Sequence, residues 1–211
     1  MKRLFLSFIV AIGVLAGVVG ALVWVSLQSP TWYVPPDYSD PSVAKLADRA
    51  EYRFNEELHK IRPEDEMWRI RLGDKAMNAW LSGRLEGWLT HDQEIEMPPE
   101  IHGPQVHVTD TGIWTYANVE ISEGSPRPLG IKWWVWVDSG EFKFEPIAIR
   151  LGKLPLPIAL FDNQIAKLHA KLSDAKAEIP LLDDRRVVVQ HITHENGSIV
   201  FTCYTKLPNR P

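Results

Sequence analysis

Apolar positions recur along this chain with changing period, and the changes of period mark its elements. From Leu4 to Leu27, "LFLSFIVAIGVLAGVVGALVWVSL", apolar residues fill every face of a helix and no charge interrupts them. From Val43 to Ile61 the spacing becomes three and four, through Leu46, Ala47, Ala50, Phe54 and Leu58. This predicts an amphipathic helix with Asp40 as N-cap, Pro41 at its first position and Pro63 closing it. The opposite face, Lys45, Asp48, Glu51, Glu56 and Glu57, reads as solvated. "MWRIRL" alternates Trp68, Ile70 and Leu72 against Arg69 and Arg71, a short strand with one wet face. Asp74 then caps a second helix with Met77, Trp80, Leu81, Leu85, Trp88 and Leu89 as its stripe and weak points at Gly83 and Gly87. "THDQEIEMPPEIHGP" reads as a loop because of its proline pair.

From Pro104 the period is two. "QVHVT", "IWTYANVEI", "LGIKWWVWV" and "EFKFEPIAIRL" are strands, with turn signals at Asp110–Gly112, Glu123–Pro128 and Asp138–Gly140. Helical spacing returns over "KLPLPIALFDNQIAKLHAKL", where Ile158, Phe161, Ile165, Leu168 and Leu172 form one stripe. "RRVVVQHIT" and "SIVFTCYT" close the chain as a hairpin around Asn196–Gly197. The order predicts an α+β domain, a mainly antiparallel, curved sheet packed against amphipathic helices.

One strand breaks the alternation expected of a half-buried sheet. In "GIKWWVWVDSG", Trp133, Val135 and Val137 point to one face while Trp134 and Trp136 point to the other. A central strand covered on both sides explains this without a ligand. An apolar groove explains it too, with Trp114, Tyr116, Trp134 and Trp136 as the ligand-binding candidates.

The N-terminal run changes the picture of where that groove would sit. Its 24 uncharged residues make a helix of about 36 Å, against a hydrocarbon core of about 30 Å. The run exceeds a cleavable signal core and carries no convincing cleavage site, so residues 1–27 read as a signal-anchor transmembrane helix. Lys2 and Arg3 precede it, Asp37 and Asp40 are the first charges after it, and Trp24, Trp32 and Tyr33 fall where an aromatic belt would lie. The positive-inside bias therefore places the C-terminal domain outside the cytoplasm, on the inner (cytoplasmic) membrane of a cell envelope. Residues 28–40, rich in proline, read as a short stiff tether, and 41–211 as the extracytoplasmic domain. Gly13 and Gly17 form a Gly-x-x-x-Gly that would let two anchors pack as a homodimer.

Charge and chemistry narrow the rest. The formal charge is −4, or −6 without Lys2 and Arg3, with no basic block, which argues against nucleic acid. The single cysteine, Cys203, excludes an internal disulfide and reads as a small buried residue. His191 and His194 fall on opposite faces of a strand and cannot chelate one ion together without a bulge. His107 with Asp110, and Asp183–Asp184 with Arg185–Arg186, read as turn chemistry, and Asn196–Ser198 as a hairpin turn despite matching a glycosylation acceptor. Neither a nucleophile elbow nor a phosphate loop is present. The expectation is a non-catalytic protein with no metal and no cofactor.

Two segments carry a family resemblance. "WRIRLGDKAMNAWLSGRL" resembles a strand-to-helix segment with an Asn-Ala-x-Leu pattern, and "IAIRLGKLPLPIALFDNQIAKL" a strand, a Gly-x-Leu-Pro-Leu-Pro turn and an amphipathic helix. Both are similar to segments of the YpmS-like family of bacterial membrane-anchored proteins of unknown function. The resemblance implies an extracytoplasmic module similar in outline to small lipid-binding envelope domains, and it implies no catalytic residue. The expected function is lipid or other apolar-ligand binding in a sheet–helix groove, with membrane lipid as partner. The alternative is a scaffold subunit of an envelope complex, with an envelope protein as partner.

Overall fold

The protein is described from a computed structural model covering residues 2–37, 40–64, 66–92, 98–120, 124–172 and 175–208, with side chains for all of these except 2–11, 91, 92, 171 and 172. The helices are α1 (Lys2–Leu27), α2 (Pro41–His59), α3 (Asp74–Gly83), α4 (Leu85–Asp92) and α5 (Asp162–Leu172). The strands are β1 (Trp68–Gly73), β2 (Ile101–Thr109), β3 (Gly112–Glu120), β4 (Pro126–Asp138), β5 (Glu141–Leu151), β6 (Leu154–Leu156), β7 (Glu178–Pro180), β8 (Arg186–Glu195) and β9 (Ser198–Lys206). Among the described residues no helix is long and apolar enough to cross a membrane. The side chains of α1 that are described, from Ile12 on, are nearly all exposed: Leu15 and Trp24 at 64%, Val14 at 61%. Lys2 and Arg3 keep their place in α1, but their side chains lie outside the described ones.

The domain is α+β, but its strands form two antiparallel sheets where one was expected. The first has the order β1-β9-β8-β7 and the second β2-β3-β4-β5-β6. β1 pairs with β9, Trp68 opposite Cys203 and Gly73 opposite Ser198, a register that no local pattern announces. The five-stranded sheet is the expected meander, with β6 added as an edge after the Gly152 turn. The main core lies between the sheets. Trp68, Ile70, Val187, Val189, Ile192, Ile199 and Cys203 come from one, Val108 and Val135 from the other, and Leu58 of α2 closes one side. The β8–β9 hairpin turns at Asn196–Gly197 as expected, Glu195 facing Ser198.

Several element boundaries move for local reasons. The second helix breaks between Gly83 and Leu85, so the stripe is shared by two short helices, α3 and α4. Asp74 is its first helical residue and not its cap: the carboxylate turns sideways, accepting from Val108 N at 3.0 Å. The expected helix from Lys153 begins only at Asp162. Pro155 and Pro157 hold the preceding chain extended as β6, and a 3-10 turn at Ile158–Phe161 leads into α5. β2 starts at Ile101, inside the expected loop, and carries a bulge between His102 and Gln105. The start of that loop, Thr90–Asp92, is the end of α4; its residues 93–97 and the start of the turn at Glu123 lie outside the described residues. Asp40 caps α2 as expected, its Oδ1 accepting from Ser42 N at 2.8 Å.

Candidate functional site

The question of what covers the second aromatic face has a local answer. Trp114 and Tyr116 lie on the face of the five-stranded sheet turned away from the main core, and both are buried. Tyr116 fits because its cross-strand partner is Gly130: a Cβ there would strike the Tyr116 ring. Its hydroxyl donates to Gly152 O at 3.0 Å. Over these rings lies the segment between α1 and α2. Trp32 meets Tyr116 edge-on at 5.2 Å between centroids and stacks on His107 at 4.9 Å, while Tyr33 lies 5.7 Å from Tyr116.

The expected tether is thus docked to the domain at Trp32–Val34. Gln105 sits on β2 just past its bulge and is only 2% exposed. Its amide pairs with both backbone groups of Val34, donating to the carbonyl at 2.7 Å and accepting from N–H at 3.1 Å. Tyr33 donates to Gly103 O at 2.9 Å. Burial pushes the Tyr33 hydroxyl up to about 12. At the helix end, Lys153 N donates to Val25 O at 3.2 Å, and Gly152 abuts Ser26 backbone. Tyr33, expected in an aromatic belt, is instead buried in this small core.

The other two candidates are elsewhere. The pair Trp134 and Trp136 sits on the part of β4 that extends past β3, opposite Glu145 and Lys143 of β5. Trp134 is 39% exposed and leans on His194 of the other sheet, centroids 4.5 Å apart. Burial holds His194 below the ordinary imidazole value, with repulsion from His191 adding to the effect. The structure brings Trp114 and Tyr116 together under the strap, and it does not bring Trp134 or Trp136 to them in one groove. Trp133, on the opposite face, packs in the main core and donates from Nε1 to Thr115 Oγ1 at 2.9 Å.

A cleft lies in the helical layer. Ala50, Glu51, Phe54 and Asn55 of α2 face Ala76, Met77, Trp80 and Leu81 of α3, with Leu72, Val106 and Trp88 completing a space of about 630 Å³. Its walls are mostly apolar, and Trp80 and Trp88 meet edge-on at 6.0 Å across the α3–α4 break. Asn78 fixes one wall to the sheet: it donates to Val106 O at 2.9 Å and accepts from Val106 N at 2.7 Å. None of these residues was singled out for binding from the sequence, where Ala50, Phe54, Met77, Trp80, Leu81 and Trp88 read as apolar stripes and Glu51 as part of a solvated face. The available signal was two tryptophans on a helix interrupted by Gly83 and Gly87, which cannot pack as one rod.

The polar candidates resolve into structural roles. His107 Nδ1 lies 2.7 Å from Asp74 Oδ2, not against Asp110, and its ring is stacked under Trp32. Arg185 is buried where a solvated turn was expected. It binds Asp183 Oδ2 at 2.7 Å and donates to the carbonyls of His59 and Lys60 at 3.0 and 3.1 Å, satisfying the end of α2. Cys203 is buried, which pushes its thiol up to about 11. Among the described residues no group of three or more His, Cys, Asp or Glu is placed to hold a metal ion. Gly13 and Gly17 have nothing within 4 Å of their open faces.

No protein-family model matches the chain, and no curated protein matches it significantly.

Proposed function

We propose that this is a single-pass, membrane-anchored envelope protein whose domain holds an apolar chain of a membrane lipid in the cleft between α2, α3 and α4. The observation that carries the reading is the cleft itself. Its volume of about 630 Å³ falls within the roughly 300–1,000 Å³ of small-molecule sites, and its walls are aliphatic and aromatic with Glu51 and Asn55 as polar groups. Membrane anchoring is supported by α1, whose large apolar side chains from Ile12 to Trp24 are exposed. The uncharged run from Leu4 supports it further. The resemblance to YpmS-like proteins favours the same setting and rests on the two short segments alone.

A second reading, a scaffold subunit, is favoured by Ile61 and Leu182, 90% and 99% exposed. Arg185 ties the β7–β8 turn, which carries Leu182, to the end of α2, which Ile61 follows. One experiment separates the two. The full chain is purified in detergent, and its retained lipid is measured by native mass spectrometry beside the variant Ala50→Trp, which fills the cleft. Lipid retained by the natural chain and lost from the variant is expected. A natural chain free of lipid overturns the reading, and a stoichiometric crosslinked protein in the native membrane would then favour scaffolding.

A further inference from the structure

The same strapped face carries a second feature that no aromatic packing requires. Lys132 of β4 and Arg150 of β5 both lie over the ring of Trp114, Nζ at 5.8 Å and Cζ at 4.7 Å from its centroid. Lys132 pairs with Ala148, and Arg150 is two residues further along β5, so the two cations are diagonal neighbours on one face. Among the described residues neither has a carboxylate within ion-pair distance; Lys132 donates only to Thr111 Oγ1 at 2.5 Å. Partial burial holds the Lys132 ammonium below its ordinary value. Asp110 opposes that shift, and repulsion from Arg150 adds to it. Asp110 acts on Lys132 from beyond ion-pair distance and Arg150 shares a hydrogen bond with the Tyr116 hydroxyl, so neither like charge over the ring is neutralised by a carboxylate in contact, which leaves a place for an anion.

Their position says which anion. Arg150 is two residues from Gly152, which abuts the carbonyl of Ser26 in the last turn of α1, and Lys153, exposed beside it, is hydrogen-bonded to Val25. The basic cluster therefore flanks the point where the apolar helix meets the domain. We propose that Lys132 and Arg150, with Lys153 at the rim, bind the phosphate of an anionic phospholipid headgroup at the foot of the anchor. The proposal rests on the membrane reading of α1 and is independent of the helical cleft. Trp114 provides the floor that holds both side chains upright, and the guanidinium supplies the forked donors a phosphodiester accepts. The bland role, in which the aliphatic stems merely shield Trp114 from water, predicts no preference for anionic lipid.

The test uses the full chain in neutral detergent micelles, titrated with short-chain phosphatidylglycerol, with phosphatidylcholine and with inorganic phosphate, read by tryptophan emission and native mass spectrometry. The variant pair Lys132→Met with Arg150→Met keeps apolar cover over Trp114 and removes both charges; Lys132→Arg is the conservative control. Phosphatidylglycerol should bind in preference to phosphatidylcholine. Its binding should weaken about tenfold or more for each cation removed and survive in Lys132→Arg. It should also weaken as salt is raised in the natural chain, a readout that stands even if the double variant does not fold. Equal binding of both lipids, or unchanged phosphatidylglycerol binding in a folded double variant, overturns the proposal. Inorganic phosphate binding as well as the lipid overturns the headgroup as source and leaves a free-anion site. Carbonate extraction separates the underlying reading: a chain released from membranes refutes anchoring whatever the micelle titration shows, and a chain that stays while ignoring phosphatidylglycerol refutes only the anion site.

Discussion

Replacing Gly152 with alanine is the sharpest probe of how the apolar helix is joined to the domain. Gly152 has φ +59°, and a Cβ there would meet the Ser26 carbonyl carbon at 2.6 Å and the Gln28 oxygen at 2.8 Å, with the Ser26 oxygen closer still. All three are backbone atoms, so no side chain can swing aside. The left-handed conformation costs a non-glycine residue about 1–2 kcal/mol, and overpacking adds about 1–3 kcal/mol. Gly140 is the control. Its φ is +79° and nothing lies within 4 Å of its Cβ position, so alanine there incurs only the conformational cost. Urea denaturation of the full chain in micelles should therefore show Gly152→Ala less stable than Gly140→Ala by about 1–3 kcal/mol. If the helix end yields instead, the hydrogen bond from Lys153 N to Val25 O at 3.2 Å opens, and the Lys153 amide exchanges faster. Equal losses in the two variants, with Lys153 still protected, would refute the close approach of α1 to the β5–β6 turn.

Two pH dependences follow from buried groups. Tyr33 titrates near 10 when unfolded and at about 12 when folded, so its contribution is complete below pH 10 and is lost as pH rises toward 12. The loss reaches about 2–3 kcal/mol at most, and Tyr33→Phe should flatten stability between pH 9 and pH 11; an unchanged alkaline slope rejects the buried hydroxyl. His194 has the opposite sense: its folded value lies below its unfolded one. Above about 6.5 both states are neutral. As pH falls below that, the unfolded chain takes up the proton first and stability declines until the native ring also protonates. His194→Gln should shallow that acid limb, and the quenching of Trp134 by a protonated ring should appear only below about pH 6.5; a Trp134 titration at or above it would contradict the burial.

What the sequence disclosed follows from how local each determinant is. Alternation and turn residues located β3, β4, β5, β8 and β9, because strand period and hairpin turns are written within a dozen residues. The pairing of β1 with β9 was hidden, since Trp68 and Cys203 are far apart in sequence and neither side announces its partner. The prolines of "LPLP" were visible, yet their consequence, an edge strand where helical spacing had begun, needs the Gly152 turn to bring them beside β5. The docking of the segment between α1 and α2 was hidden for a different reason. Proline content describes stiffness and not attachment, and the polar clamp on Val34 comes from Gln105, on a strand whose alternation gave that residue no special weight.

The fate of the tryptophan strand alters what a lipid reading must stand on. Because both faces of β4 are aromatic or apolar, its sequence leaves open either a strand covered on both sides by the protein itself or a groove for an apolar ligand. One face meets Val187, Val189 and Ile192 across the core. On the other, the neighbouring Trp114 and Tyr116 are sealed by Trp32, Tyr33 and the stems of Lys132 and Arg150. Burying such rings is worth roughly 1.5–3 kcal/mol each, and the chain's own strap obtains much of that gain. Trp114 and Tyr116 therefore demand no ligand, while Trp134 on β4 leans on His194 and stays 39% exposed. Apolar surface that stays uncovered also includes α1 and the cleft where Gly83 ends α3 and Trp88 stands 40% exposed. Helix α1 and the cleft belong to one body, because the strap that seals the sheet also fixes the end of α1 to it. A domain held this way cannot tumble on a loose leash, so its orientation relative to α1 is set by Gly152, Gln105 and Tyr33 and not by the length of the connecting chain.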